Sequence, residues 1–200
     1  MAPFAAQCFM ITSIIPVFCG AVKPFGIFRR GGAYALKKEC DILSISKSKP
    51  YVISIALALA VGGLSAYLTR NSMDLYAEIV RPPLSPPALL FPIVWTVLFI
   101  LMGISAAMVY LNREQDPKAA EKGLFTYLLS LIVNFSWSIL FFRYRAFWFS
   151  FFWLLLLLFL ILRTIWCYRK VEPLAAWLQI PYALWVTFAG YLTLSIALLN

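Results

Sequence analysis

The chain has 200 residues, 63% of them hydrophobic and only 12% charged, with a mean hydropathy of +0.87. A soluble domain is about half apolar and a quarter charged, so this is the composition of an integral membrane protein. The formal charge of +9 is better explained by topology and anionic lipid than by nucleic acid, because no soluble basic fold remains to present it.

The first 49 residues stand apart. An apolar run over 8–22 is interrupted by Pro16 and has no basic residue before it, which makes a poor secretory signal. Lys23, Arg29, Arg30, Lys37, Lys38, Lys47 and Lys49 follow. Residues 1–49 read as a poorly packed basic extension: an interfacial segment, a loose tail or an unused upstream start. Residues 50–200 read as the transmembrane domain.

Five apolar runs make up that domain, at 51–68, 93–111, 124–142, 147–167 and 175–199. Each is long enough to cross a hydrocarbon core of about 30 Å at about 1.5 Å per residue. The fold class is all-α, an integral membrane bundle of five transmembrane helices. Alternation places the tail on one face with Arg113, Lys118, Lys122, Arg169 and Lys170, and Arg70, Arg81, Arg143 and Arg145 on the other. For a protein of the bacterial cell membrane, the positive-inside rule then puts the N-terminus in the cytoplasm and the Pro-rich loop outside.

Between the first two spans lies Pro82-Pro83-Leu84-Ser85-Pro86-Pro87, with four prolines in six residues. Each proline fixes φ and removes an amide donor. The stretch is either a plain connector or a stiff lid that covers a pocket at low ordering cost. As a lid it makes Pro82, Pro83, Pro86 and Pro87 candidates for ligand contact.

Helical spacing sorts the spans into faces. On the second span Trp95, Phe99, Met102 and Ala106 share a face, and Gly103 with Ala107 forms a small pair for close helix contact. On the third, Thr126, Ser130, Asn134 and Ser138 form a polar stripe that should face the interior. Trp137 and Phe141 flank it. On the fifth, Trp185 and Ala189 share a face, and Ala183 pairs with Thr187. In the first, Ala58, Gly62 and Ala66 make a small-residue face.

Two explanations compete for this pattern. Small and polar residues can be ordinary helix–helix glue, with tryptophans as interface anchors. Trp148, Trp166 and Trp177, near span ends, fit that role, and Trp153 is expected to face lipid. Alternatively, Trp95, Trp137 and Trp185 line one aromatic cavity for a flat apolar ligand.

The chemistry that is missing narrows the function. The chain has no histidine, which removes His-based acid–base catalysis, His metal sites and His-ligated haem. Cys8, Cys19, Cys40 and Cys167 match no zinc spacing. Every carboxylate, from Glu39 to Glu172, lies in the tail, a loop or a span end, so a proton relay is not expected. No metal site and no required cofactor are expected.

The motifs together resemble the tryptophan-rich sensory protein/translocator protein (TspO/MBR) family, also called the peripheral-type benzodiazepine receptor family. The resemblance covers about residues 50–200. It is carried by Leu75-Tyr76, Arg81-Pro82, the Pro-rich stretch, Val94-Trp95 through Met102-Gly103, and Asn134-Phe135-Ser136-Trp137. Phe141-Phe142, Pro173-Leu174-Ala175-Ala176 and the run from Pro181 to Ala189 continue it.

The resemblance implies a five-helix membrane fold, often a homodimer, with a pocket beneath the first loop. Members bind porphyrins and benzodiazepine-like or isoquinoline ligands, and some bind cholesterol. Bacterial members are linked to tetrapyrrole signalling and light-dependent porphyrin breakdown. Carried over by motif, Tyr76, Trp95, Asn134, Trp137, Trp185 and Ala189 would line or flank the pocket. Trp95 and Trp185 match the tryptophans proposed for photochemistry.

The chain departs from the family pattern in places. Leu75, Leu84 and Leu89 stand where tryptophan is usual, Trp153 where an acid is common, and Thr193 where asparagine is usual. No basic residue follows Tyr191, so the C-terminal cholesterol motif is missing. Residues 162–170 fit that loose pattern, which is too weak to assign sterol binding.

Three function classes follow. The first is a receptor for porphyrin or another planar apolar molecule, working among membrane lipid with no nucleic-acid partner. The second is a light-dependent porphyrin-degrading enzyme using Trp95 and Trp185. The third is a transporter of tetrapyrroles or lipids, for which no broken helices or inverted repeat speak.

Overall fold

The computed structural model describes residues 32–70, 79, 82, 85–87 and 89–200, with side chains from residue 48 onward. The chain divides into two units, Met1–Leu43 and Ser44–Asn200. Of the basic extension, only helical backbone from residue 32 and the side chains of Ser48 and Lys49 are described. Tyr76 and Pro83 lie outside the described residues, as do Leu75, Arg81 and Leu84.

Helix α1 spans Gly32–Thr69, α2 Leu90–Leu111, α3 Pro117–Ser138, α4 Phe147–Val171, α5 Pro173–Leu178 and α6 Ile180–Leu199. A π-helical turn, Ile139–Arg143, extends α3. Five stretches are long and apolar enough to cross a membrane: Ser48–Thr69, Leu90–Leu111, Pro117–Arg143, Phe147–Val171 and Pro173–Leu199. Among the described residues there is no strand. The all-α reading with five spans is borne out.

The helix ends have local causes. Asp116 caps α3 by accepting from the Ala119 amide at 3.0 Å, with Pro117 in the first turn, where no amide is needed. Glu172 does the same for α5 through the Leu174 amide at 3.3 Å, with Pro173 behind it. Glu172 also accepts from Asn112 Nδ2 at 3.3 Å, which ties the end of α2 to the start of α5. Arg145, at φ 52, makes the left-handed step that turns the chain into α4.

The fifth span, expected as one run, is two helices joined at Gln179. Pro181 can supply no amide, so the ladder is interrupted there. Gln179 is only 1% exposed. Its Nε2 donates to Ser105 Oγ at 3.3 Å, and Ser105 Oγ donates to the Ala175 carbonyl at 2.8 Å. This chain of bonds fixes the break against α2. Ser105→Ala removes the acceptor from a buried amide and is expected to cost about 1–3 kcal/mol. Thermal unfolding in detergent reads the loss, and an unchanged midpoint would mean that the bond contributes nothing.

Small residues set the helix spacing. A Cβ on Gly103 would lie 2.6 Å from Ile55 Cα, so α1 and α2 pack backbone to backbone. Gly62 of α1 receives the Phe99 ring, and Gly123 of α3 receives the Tyr168 ring of α4. Ala58 is fully buried, but Ala66 is exposed; the inward face of α1 turns to Ser65 and Thr69 instead. Thr126, Ser130 and Asn134 of the α3 stripe are buried as expected, and Ser138 is half-buried.

Trp153 corrects the sequence expectation. It does not face lipid freely: its indole N–H donates to the Val133 carbonyl at 3.1 Å and to Ser136 Oγ at 2.9 Å. One N–H in a bilayer core needs an acceptor, and α3 supplies two. Trp148, Trp166 and Trp177 are exposed near span ends, as expected of anchors.

Candidate ligand-binding site

The helical repeat that places Trp95, Phe99, Met102 and Ala106 on one face of α2 is realised: the last three are buried and Trp95 is half-buried. Trp95 stacks on Phe99 with ring centroids 5.5 Å apart and meets Tyr182 of α6 edge-on at 6.2 Å. One turn earlier on α2, Phe91 meets Trp185 edge-on at 5.9 Å. Trp185 continues to Phe188 at 5.7 Å. Trp95 and Trp185 thus belong to one aromatic seam between α2 and α6. Such ring pairs contribute about 0.5–1.5 kcal/mol beyond area burial.

Trp137 belongs to a second cluster. It stacks on Phe141 at 5.5 Å and meets Phe142 edge-on at 6.3 Å, while Phe147 closes on Phe141 at 5.4 Å. This cluster sits where α3 turns into α4. Asn134, buried, is one turn before Trp137 on the same face of α3, and Ala189, also buried, is one turn after Trp185 on α6. Two of the three tryptophans therefore share a seam, and the third has its ring contacts elsewhere.

The described part of the Pro-rich stretch is a turn. Ser85 donates to the Pro82 carbonyl through both its amide, at 3.3 Å, and its hydroxyl, at 2.9 Å. Pro82 is buried, Pro86 half-buried and Pro87 exposed.

Beside the seam runs an open apolar groove of about 560 Å³, lined by Val97, Leu101, Leu184, Trp185 and Phe188 among others. Ligand pockets commonly fall at about 300–1,000 Å³. The indole N–H groups of Trp137 and Trp185 are buried with no hydrogen-bond partner among the protein's own atoms. The seam offers aromatic faces, aliphatic walls and an indole donor. No group of three potential metal ligands occurs among the described residues.

Sequence reasoning missed a set of buried polar residues: Ser105, Gln179, Tyr127, Tyr168 and Tyr182. A signal was present for Tyr127, because Tyr127, Ser130, Asn134 and Trp137 recur at helical spacing. Tyr182 stands one helical turn before Val186 and one before Trp185 on the same side of α6.

Among known proteins, residues 54–199 match the TspO/MBR family. The chain belongs to the TspO/MBR family. It is 34% identical over 149 residues to the tryptophan-rich protein TspO of Chlorobaculum tepidum, covering 74% of this chain and 94% of that one. It is 32% identical over 147 residues to the translocator protein of Bos taurus, covering 72% and 87%. Protein CrtK of Rhodobacter capsulatus is 30% identical over 158 residues, covering 79% and 95%. The family resemblance carried by the motifs is borne out, and with five span-capable helices this TspO/MBR member is an integral, multi-pass membrane protein.

Proposed function

We propose that this TspO/MBR protein is a membrane receptor for a porphyrin or a similar planar apolar molecule, held at the Trp95–Trp185 seam under the Pro-rich loop. The observation that carries this reading is the seam itself: two tryptophans on facing helices, one of them bordering a groove of ligand size. Flat aromatic ligands gain most from such surfaces, and the seam has no charged group to desolvate. Protoporphyrin should bind with micromolar affinity, on the order of −8 kcal/mol. Titration against tryptophan fluorescence in detergent reads this directly, and an absence of saturable quenching would overturn the receptor reading.

A photochemical reading of the same seam is favoured by its two oxidisable indoles in aromatic surroundings. An indole beside a photoexcited porphyrin can donate one electron, leaving a tryptophan radical cation and a macrocycle radical anion, and oxygen that adds to this anion opens and consumes the ring. The protein's part is positioning and exclusion of solvent. Trp95→Phe and Trp185→Phe keep an aromatic wall but are harder to oxidise. Binding should survive in both while light-dependent porphyrin loss falls. Equal loss in the dark and in the light would leave only the receptor.

The orientation that fits the Lys/Arg distribution has a cytoplasmic N-terminus and an external Pro-rich loop. A cysteine at Ser85, in a background without native cysteines, should then react with an impermeant thiol reagent in intact cells. Labelling only after lysis would reverse the orientation.

A further inference from the structure

Three phenols are buried in the interior of the bundle. Tyr127 of α3, Tyr168 of α4 and Tyr182 of α6 are 3%, 0% and 1% exposed. None of their hydroxyls has a hydrogen-bond partner among the protein's atoms. The Tyr168 ring lies against Gly123, four residues before Tyr127 on the same face of α3. Helical side chains lean toward the N-terminus of their own helix. The link from α3 and its π turn to α4 is only three residues, so the two helices run antiparallel, and Tyr127 and Tyr168 lean toward one another. Helix α4 packs on both α3 and α6, and Tyr182 is buried on α6.

Other buried hydroxyls have already used their protons. Thr126 and Thr164 donate to carbonyls of their own helices, at 2.7 and 2.9 Å. Ser130 donates to the Tyr127 carbonyl at 2.7 Å, and Ser105 is taken by Ala175 and Gln179. Three phenylalanines would fill nearly the same space without stranding a polar atom. Buried hydroxyls are almost always satisfied, and ordered water typically makes about three bonds to groups that the protein leaves unpaired.

We propose that the hydroxyls of Tyr127, Tyr168 and Tyr182 form a buried hydrogen-bonding subsite for one neutral oxygen-bearing group. The group is neutral because no lysine, arginine, aspartate or glutamate is buried among the described residues to pair an ion. In the ligand-free protein the occupant is water. In the complex it is a carboxylic or carbonyl oxygen of the seated molecule, which reaches the subsite past Tyr182, whose ring already touches Trp95. This second source rests on the porphyrin reading; the first does not.

The test uses the full chain in neutral detergent. Tyr127→Phe, Tyr168→Phe and the double variant are melted without ligand. Each single variant should melt about 2–4 °C below wild type, the shift of one lost hydrogen bond in a chain of this size. The double variant should lose less than the sum, because both hydroxyls hold one shared group. Single variants that melt at or above wild type, or shifts that add, would overturn the subsite.

Protoporphyrin, which carries carboxylic acids, and octaethylporphyrin, which has no oxygen, are then titrated against wild type and Tyr182→Phe. Protoporphyrin weakened about fivefold, with octaethylporphyrin unchanged, assigns a ligand oxygen to the subsite. Both unchanged, with coupled melting shifts, assigns water alone. If neither porphyrin binds wild type, the receptor reading falls while the melting data still decide the subsite.

Discussion

Gly103→Ala is expected to lower stability by about 1–3 kcal/mol, the usual cost of forcing an extra carbon into a packed contact. Alanine is the better helix former by about 1 kcal/mol, so helix propensity alone predicts the opposite sign. Packing decides against it. The added Cβ would lie 2.6 Å from Ile55 Cα and 2.8 Å from Ile55 N. These are backbone atoms, which cannot rotate away, so α1 must move off α2. That shift would also loosen Phe99, whose ring is seated in the space left by Gly62. Gly190→Ala is the matched control. A Cβ there meets nothing within 4 Å, and a gap of about 130 Å³ lies beside it between α4 and α6. It should be neutral or stabilising. Equal melting of the two variants in detergent would show that α1 is not seated on α2 through Gly103.

The double variant Trp95→Ala, Trp185→Ala should weaken protoporphyrin binding by 2 kcal/mol or more, about 30-fold, the scale of losing central aromatic anchors. The two rings contribute differently. Trp95 is held between Phe99 and Tyr182, so its removal opens the inner part of the seam. Trp185 is held by Phe91 and Phe188 and forms part of the groove wall. Trp166→Ala and Trp177→Ala, at exposed positions, should leave affinity unchanged and control for general loss of tryptophan. Trp137→Ala asks whether the second aromatic cluster shares the ligand. Wild-type affinity in the double variant would remove the seam as the binding surface.

Periodicity carried much of this architecture. The faces of α2 and α3 could be assigned from spacing, because a bilayer-spanning helix must turn its polar and small residues toward other helices. Periodicity assigns a face and leaves its partner open. Trp95, Trp137 and Trp185 could be placed on inward faces, yet which helices met them depended on packing angles that one-dimensional spacing does not contain. Trp153 lay in an unbroken apolar run and read as lipid-facing; its indole N–H, the atom that decides its position, is invisible to hydropathy. The start of α1 at Gly32 was missed for a related reason, since an apolar run marks where lipid begins and the helix can begin earlier in polar sequence. Tyr127, Tyr168 and Tyr182 were overlooked because a phenol scores as apolar until its hydroxyl is found without a partner.

The π turn at Ile139–Arg143 makes the reading frame itself a structural variable. In an α-helix, residue 142 would stand about 140° around the axis from residue 137. The wider turn brings it back, so Trp137 touches both Phe141 and Phe142. Such a turn behaves as a single inserted residue that the helix has absorbed. Loss of residue 139 or 140 would restore the α repeat and leave Phe141 and Phe142 three and four positions after Trp137, about 60° and 40° around the axis from it. The short turn that ends at Arg145 would keep its starting direction, because five residues at the π pitch rotate the chain about as far as four at the α pitch. In-frame deletion at this point would therefore shorten the span by one residue while keeping the direction of the connection into α4, a change of length that no exchange of one side chain for another can produce.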